Sequence, residues 1–153
     1  TFSVPRYRGI ENPFGHVWKW TDGINIRISP DGPAGDGLSK VFVCNDPSKF
    51  SDTDYEGYVH VGNEARTEGY VKAIIFGEWG DIMPTTVGGG ATSWFCDYHY
   101  TNIPTVETLR GVLFGGLAHI GAGAGFASSS SSHAPSSPFA YVGSRLCFLP
   151  DMA

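Results

Sequence analysis

The side chains of this 153-residue chain that could do chemistry are scattered rather than grouped. The five histidines, His16, His60, His99, His119 and His133, show neither His-x-x-x-His spacing nor a nearby Glu-Cys grouping, so no zinc site is specified. Cys44, Cys96 and Cys147 are odd in number and widely spaced. They read as three buried thiols, against the alternative of one bridge and one free thiol. Asp46, Asp52, Asp54 and Glu56 form an acidic cluster, but the spacing and the missing central glycine do not fit a calcium-binding EF-hand loop. Val87-Gly88-Gly89-Gly90-Ala91 could cradle a phosphate only with a following Gly-Lys-Ser/Thr, which is absent. The run Ser128 to Ser132 has no Gly-x-Ser-x-Gly elbow and no identifiable base. No catalytic residue, metal ligand or cofactor site follows, and an enzyme is not expected.

The elements that would position these residues are short strands. His16-Val17-Trp18-Lys19-Trp20 alternates, with both tryptophans on one face, as a core anchor or alternatively as an exposed platform for sugars. Asp22-Gly23 carries turn chemistry, and Ile24-Asn25-Ile26-Arg27-Ile28 alternates again, so the two runs read as a hairpin. After a polar loop from Ser29 to Ser39 come a strand over 40–44 and a buried strand over 69–76. An aromatic stretch of period two follows over 93–100, then Val106 to Phe114 as the approach to the next segment, with Leu109 to Phe114 expected as a strand. The sequence predicts an α+β fold of short antiparallel strands, extensive loops and one or two helices in the first half.

Residues 115–142 differ from everything before them. No Asp, Glu, Lys or Arg occurs between Arg110 and Arg145, and Gly, Ala and Ser dominate. Alone, such a stretch reads as a flexible linker. Its flanks, Leu109 to Phe114 and Tyr141 to Leu149, are strongly apolar, so both ends are expected to be tied into a sheet and the stretch displayed between them.

Composition bounds the rest. The length suits one domain over 1–153, which could also be the C-terminal part of a longer protein. A formal net charge of −5 without a basic patch argues against nucleic-acid binding. The longest apolar stretch, Gly111 to Ala127, is glycine-rich and shorter than the ~20 residues a membrane helix needs, so membrane insertion is not expected.

Two segments carry a resemblance. Gly15-His16-Val17-Trp18-Lys19-Trp20-Thr21-Asp22 resembles the Gly-Asn-Val-Trp-Glu-Trp signature of formylglycine-generating-enzyme (sulfatase-modifying-factor) domains. Gly115-Gly116, followed at a distance by Gly143-Ser144-Arg145-Leu146, resembles that family's Arg-Gly-Gly-Ser-Trp and terminal Gly-Phe-Arg-Leu. Phe114 stands where the family has Arg, Ala118 where it has Trp, and Ser144 where it has Phe. The resemblance implies a C-type lectin fold. The enzyme branch uses a cysteine pair near the last motif, whereas residues 115–142 contain no cysteine and Cys147 stands alone.

A second branch is more similar: the variable proteins of diversity-generating retroelements, found as phage tail receptor-binding proteins and on bacterial surfaces. There the segment between the glycine motifs is mutagenised at adenines, typically in codons that cannot become Lys, Glu, Gln, Met or Trp. None of these five occurs between Gly115 and Gly143. The resemblance implies a non-catalytic domain displaying a hypervariable surface over 115–142, located on a phage virion tail or a bacterial cell surface. Its partner would be a host or cell-surface protein or glycan, and a homo-oligomer is compatible with this role.

The contact residues expected from this reading are Leu117, His119, Ile120, Ala122, Ala124, Ser128, Ser129, Ser131, Ser132, His133, Ser137, Phe139 and Tyr141, with no metal. Phe126 reads equally as a contact or as a fixed core anchor. The alternatives are a formylglycine-generating-type oxidase and a sugar-binding lectin. Neither the Glu-Pro-Asn or Gln-Pro-Asp motif nor the Trp-Asn-Asp motif of calcium-dependent lectins is present.

Overall fold

A computed structural model of the chain describes residues 13–143 and the backbone of 6–7 and 10–11. The Ser144-Arg145-Leu146 part of the last motif, Cys147 and the remainder of the expected terminal strand lie outside the described residues. A short pair, β1 (Arg6–Tyr7) and β2 (Ile10–Glu11), is antiparallel. The main sheet contains β3 (Trp18–Ile28), β4 (Ser39–Val43), β5 (Val59–Asn63), β6 (Gly69–Phe76), β7 (Ile82–Val87), β8 (Tyr98–Tyr100), β9 (Thr108–Phe114), β10 (Ser129–Ser130) and β11 (Val142–Gly143). Its order is β5-β4-β3-β9-β10-β8-β6-β7, with β11 added beside β3.

The sheet curls into a nearly closed barrel. Where its two edges approach, just beyond β5, the Ala65 N–H donates to the Pro84 carbonyl at 2.8 Å. Ile26, Ile28, Val41, Val43 and Met83 fill the interior, with Ile24, Val61 and Val112 packed against them. The alternation of Ile24, Ile26 and Ile28 produces this core, since period two sends every second side chain inward. Each fully buried aliphatic side chain contributes about 1.5–3 kcal/mol.

The expected α+β class is incorrect. The described residues are nearly all β, with about 40% strand and 7% helical, and the helical part is three short 3₁₀ turns: Gly32–Ala34, Pro47–Lys49 and Gly121–Gly123. The first two lie in the first half of the chain, where one or two helices were expected, and each has proline in its first turn. Gly35 and Gly37 follow the first, and the acidic, aromatic run after Lys49 follows the second. Neither segment has enough good helix formers to offset the cost of nucleation. The expected C-type lectin fold falls with its helices.

Three local expectations also change. Residues 16–28 form no hairpin: β3 runs through Asp22-Gly23, and its register against β9 jumps between Thr21 and Asn25. Gly23 has φ 77°, and a Cβ there would lie 2.5 Å from the Cys44 carbonyl, so the turn chemistry serves a bulge. Over 93–100, only Tyr98–Tyr100 is strand, because Trp94 and Cys96 turn the chain with φ 61° and 59°. The strand over 69–76 is present but is not buried towards its end, where Ile75 and Phe76 are exposed. The sheet is also mixed: β10 is parallel to β8, and β11 is parallel to β3.

Cys44 and Cys96 are both free thiols, the first buried and the second partly exposed, so the expectation of buried thiols holds for Cys44 and fails for Cys96. Among the described residues no helix is long and apolar enough to cross a membrane, and no group of three His, Cys, Asp or Glu side chains could hold a metal ion.

Candidate functional site

The Gly/Ala/Ser stretch is stitched into the sheet at its start, middle and end. At the start the Gly15 N–H donates to the Gly115 carbonyl at 2.6 Å, and His16 bridges Leu117. In the middle β10 inserts between β8 and β9, pairing Ser129 with His99 and Phe114, and Ser130 with Tyr100 and Leu113. At the end the Trp18 N–H donates to the Tyr141 carbonyl at 3.1 Å, and Val142 pairs with Trp18. A displayed loop held only at its ends was expected; the serine run is instead a strand with two faces.

One face of that strand is bonded to the protein. Ser128 Oγ donates to the Tyr98 carbonyl at 3.2 Å. His99 is fully buried, with Nε2 3.1 Å from the Ala65 carbonyl and Nδ1 2.9 Å from Ser129 Oγ. A carbonyl only accepts, so Nε2 carries the proton and Ser129 donates to Nδ1. Burial holds the His99 pKa down at about 4, opposed by its bond to Ala65, and the ring is therefore neutral at neutral pH. Ser131 Oγ lies 2.5 Å from Glu64 Oε1 and 3.0 Å from Thr101 Oγ1. Burial pushes the Glu64 carboxyl up to about 8, with the Ser131 contact opposing the shift.

A carboxylate sets the approach to this strand. Asp97 Oδ2 accepts from the Ala127 N–H at 2.7 Å, and a Cβ on Gly125 would lie 2.0 Å from Asp97 Oδ1. Only glycine fits there. Burial raises the Asp97 pKa, and the Ala127 N–H opposes the shift.

The other face forms an open hollow of about 390 Å³. Its floor comes from the sheet: Trp18 on β3, Tyr100 on β8 and Ser130 on β10. The Trp18 and Tyr100 rings meet edge to face, with centroids 5.9 Å apart and planes at 86°. Leu117, His119 and Ile120 form one wall, and Ser132, His133 and Tyr141 another. Phe139 braces the second wall, stacked on Tyr141 at 5.1 Å and tilted against His133 at 4.6 Å. No lining residue is Asp, Glu, Lys or Arg. Burial lowers the pKa of His133, and the nearby Arg110 charge adds to the shift.

The expected contact residues therefore divide. Leu117, His119, Ile120, Ser132, His133 and Tyr141 converge on the hollow, with Phe139 behind them. Ser129 and Ser131 belong to the bonded face, and Ser128, just before β10, is tied separately to the Tyr98 carbonyl. Ala124 packs so close to Gly116 that a Cβ on the glycine would be 2.6 Å away. Ala122 lies in the 3₁₀ turn, and Ser137 closes a turn by donating its N–H to the Ala134 carbonyl. Phe126 is 59% exposed and is no core anchor.

Sequence reasoning missed Trp18, Tyr100 and Ser130 as lining residues. The alternation Tyr98-His99-Tyr100 could have separated tyrosine from histidine faces, and the two tyrosine rings do meet, at 4.6 Å. Five consecutive serines carry no phase, so Ser130 could not be distinguished from Ser129.

A larger hollow, about 550 Å³, lies elsewhere, between Arg27, Tyr55, Glu107 and the 53–56 loop. Its charges are partly engaged: Arg27 is held by Glu107 and by Asp36, the latter at 2.5 Å. None of the expected contact residues reaches it.

Comparison with family models, curated proteins and solved structures finds no match to this chain.

Proposed function

We propose that the chain is a non-catalytic recognition domain whose 117–141 stretch supplies the side chains of a ligand-binding hollow. Its role would be that of the variable proteins of diversity-generating retroelements, on a phage tail or bacterial surface, binding a host or cell-surface protein or glycan. The observation that carries the proposal is the sorting of one stretch between two jobs. Leu117, His119, Ile120, Ser132, His133 and Tyr141 face a common hollow, while Ser129 and Ser131 hold the strand from behind. Side chains on the open side can change without disturbing the bonds behind. The motif resemblance and the five absent residue types support the same reading independently of any shared fold.

The Ser129–His99 pair has the groups of a nucleophile and a base, but the geometry favours a structural role. His99 has no exposed surface, and the space beside Ser129 is about 20 Å³, room for about one water.

Sequencing this locus in closely related isolates tests the proposal. Differences should concentrate at 117, 119, 120, 132, 133 and 141, and spare Gly125, Ser128, Ser129 and Ser131. Differences distributed evenly along the chain would sink it.

A further inference from the structure

The polar groups around the hollow have a property the function above does not require. The hydroxyls of Tyr100, Ser132 and Tyr141 and the imidazoles of His119 and His133 have no hydrogen-bond partner in the protein among the described residues. Ser130 Oγ accepts only a long bond, 3.4 Å, from the Ser132 N–H, and its own hydrogen remains available. The hollow thus offers hydroxyl and imidazole donors and acceptors beside the aromatic surfaces of Trp18, Tyr100 and Tyr141, with no Asp, Glu, Lys or Arg among its lining residues. Ligand sites of this kind combine apolar walls with a few convergent polar groups, and the volume lies within their usual range.

Ligand classes can be ranked by this lining. A phosphorylated or nucleotide ligand needs a cation or a cluster of backbone N–H groups, and no Lys or Arg lines the hollow. A lipid chain or apolar helix face would desolvate the five unpartnered polar groups without replacing their bonds with water, which costs free energy at each one. A pyranose ring suits both halves of the lining. Its C–H face covers an aromatic ring, and its hydroxyls both donate and accept to Ser, Tyr and neutral His.

Taking the recognition reading as its basis, we propose that the hollow binds a neutral sugar unit of a surface glycan, stacked on Tyr141 and hydrogen-bonded by Ser132 and His133, without calcium. Tyr141 is 41% exposed and braced from behind by Phe139, which holds the ring in place before a sugar arrives. Calcium does not enter the contact, because the lining contains no carboxylate.

The test uses the whole chain on an immobilised panel of neutral gluco-, galacto- and manno-configured oligosaccharides, with sialylated and uronate-containing glycans alongside. Binding is expected to at least one neutral glycan, to persist in EDTA, and to change less than about twofold between 0.05 and 0.5 M NaCl. Tyr141→Ala should weaken it by about tenfold or more. Ser132→Ala, which keeps the stacking surface, should weaken it by a smaller factor. Thermal melting of each variant separates lost contact from lost fold. Binding only to the acidic glycans, binding abolished by EDTA, or no binding to the panel would overturn the sugar assignment. A parallel assay on bacterial cells separates this from the recognition reading itself. Cell binding lost after protease but retained after periodate would mean a protein ligand: the sugar assignment fails and the recognition domain stands. Cell binding unaffected by Tyr141→Ala in the folded protein would remove both.

Discussion

Ser129 and His99 are joined by a hydrogen bond from the serine hydroxyl to Nδ1 at 2.9 Å, on the face of β10 opposite the ligand hollow. That bond and the next one along, from Ser131 to Glu64, fix which serines look outward. In a strand a slip of one residue would exchange the two faces. The chemically uniform run therefore takes its register from its partners on β8 and beyond β5.

Ser129→Ala leaves a buried imidazole nitrogen without its donor and should destabilise the fold by about 1–3 kcal/mol. Ser132→Ala, at a half-buried hydroxyl without a protein partner, should stay within about 0.5 kcal/mol. Urea denaturation of the two variants checks the difference. Equal effects would mean that the serine run is not two-faced.

The pH dependence follows from two buried groups of opposite sign. The Glu64 pKa is raised from 4.5 to about 8, so the native state holds a proton that the unfolded chain has lost. The stability from this group is complete below 4.5 and is lost as pH rises to 8. The His99 pKa is lowered from 6.5 to about 4, so its contribution is complete above 6.5 and is lost as pH falls to 4. Each slope is about 1.4 kcal/mol per pH unit. They cancel between 4.5 and 6.5. These two groups should give a plateau over that range, a fall from 6.5 to 8 and a short loss of equal slope between 4.5 and 4. Glu64→Gln should abolish the alkaline fall and extend the acid limb over the former plateau, from 6.5 down to 4, as measured by denaturation at a series of pH values.

Gly125→Ala should cost about 1–3 kcal/mol, because the new methyl meets the Asp97 carboxylate that caps Ala127. Asp97→Ala alone should also destabilise, by removing the acceptor of the Ala127 N–H. Combining the two should cost less than their sum, since Asp97→Ala removes the carboxylate that the new methyl would meet. A denaturation double-mutant cycle measures this coupling.

Phe126→Ser should leave stability within about 0.5 kcal/mol, because the ring is largely exposed. Thermal melting checks it. A loss above about 2 kcal/mol would mean that Phe126 anchors the segment after all.

Much of the strand framework was legible in advance, because Ile24, Ile26 and Ile28 and the run from Gly69 to Phe76 announce themselves by alternation and by β-branched or aromatic content. Asp22-Gly23 misled because the same residue pair serves a hairpin turn and a bulge. The choice was made by the partner strands β4 and β9, which are distant in sequence. The helices expected in the first half did not form, because length and polarity alone say nothing about nucleation in loops opened by Gly32-Pro33 and Asp46-Pro47. At the site, the absence of charge over 111–144 marked the right stretch. The floor was harder to find: Trp18 and Tyr100 come from strands with no sequence relation to each other, and their meeting is a property of the sheet order.

The approach of the two sheet edges, marked by the Ala65 to Pro84 bond, bears on how the protein behaves in a crowd. A sheet this wide would normally present two rows of unpaired backbone groups, each able to recruit a strand from a neighbouring molecule. Here the edges are turned toward each other, and Pro84 removes a donor from β7. Under the proposed recognition role, in which open-side residues vary, this arrangement is an advantage. New side chains at the hollow can make its surface more adhesive without giving the molecules a shared edge along which to polymerise.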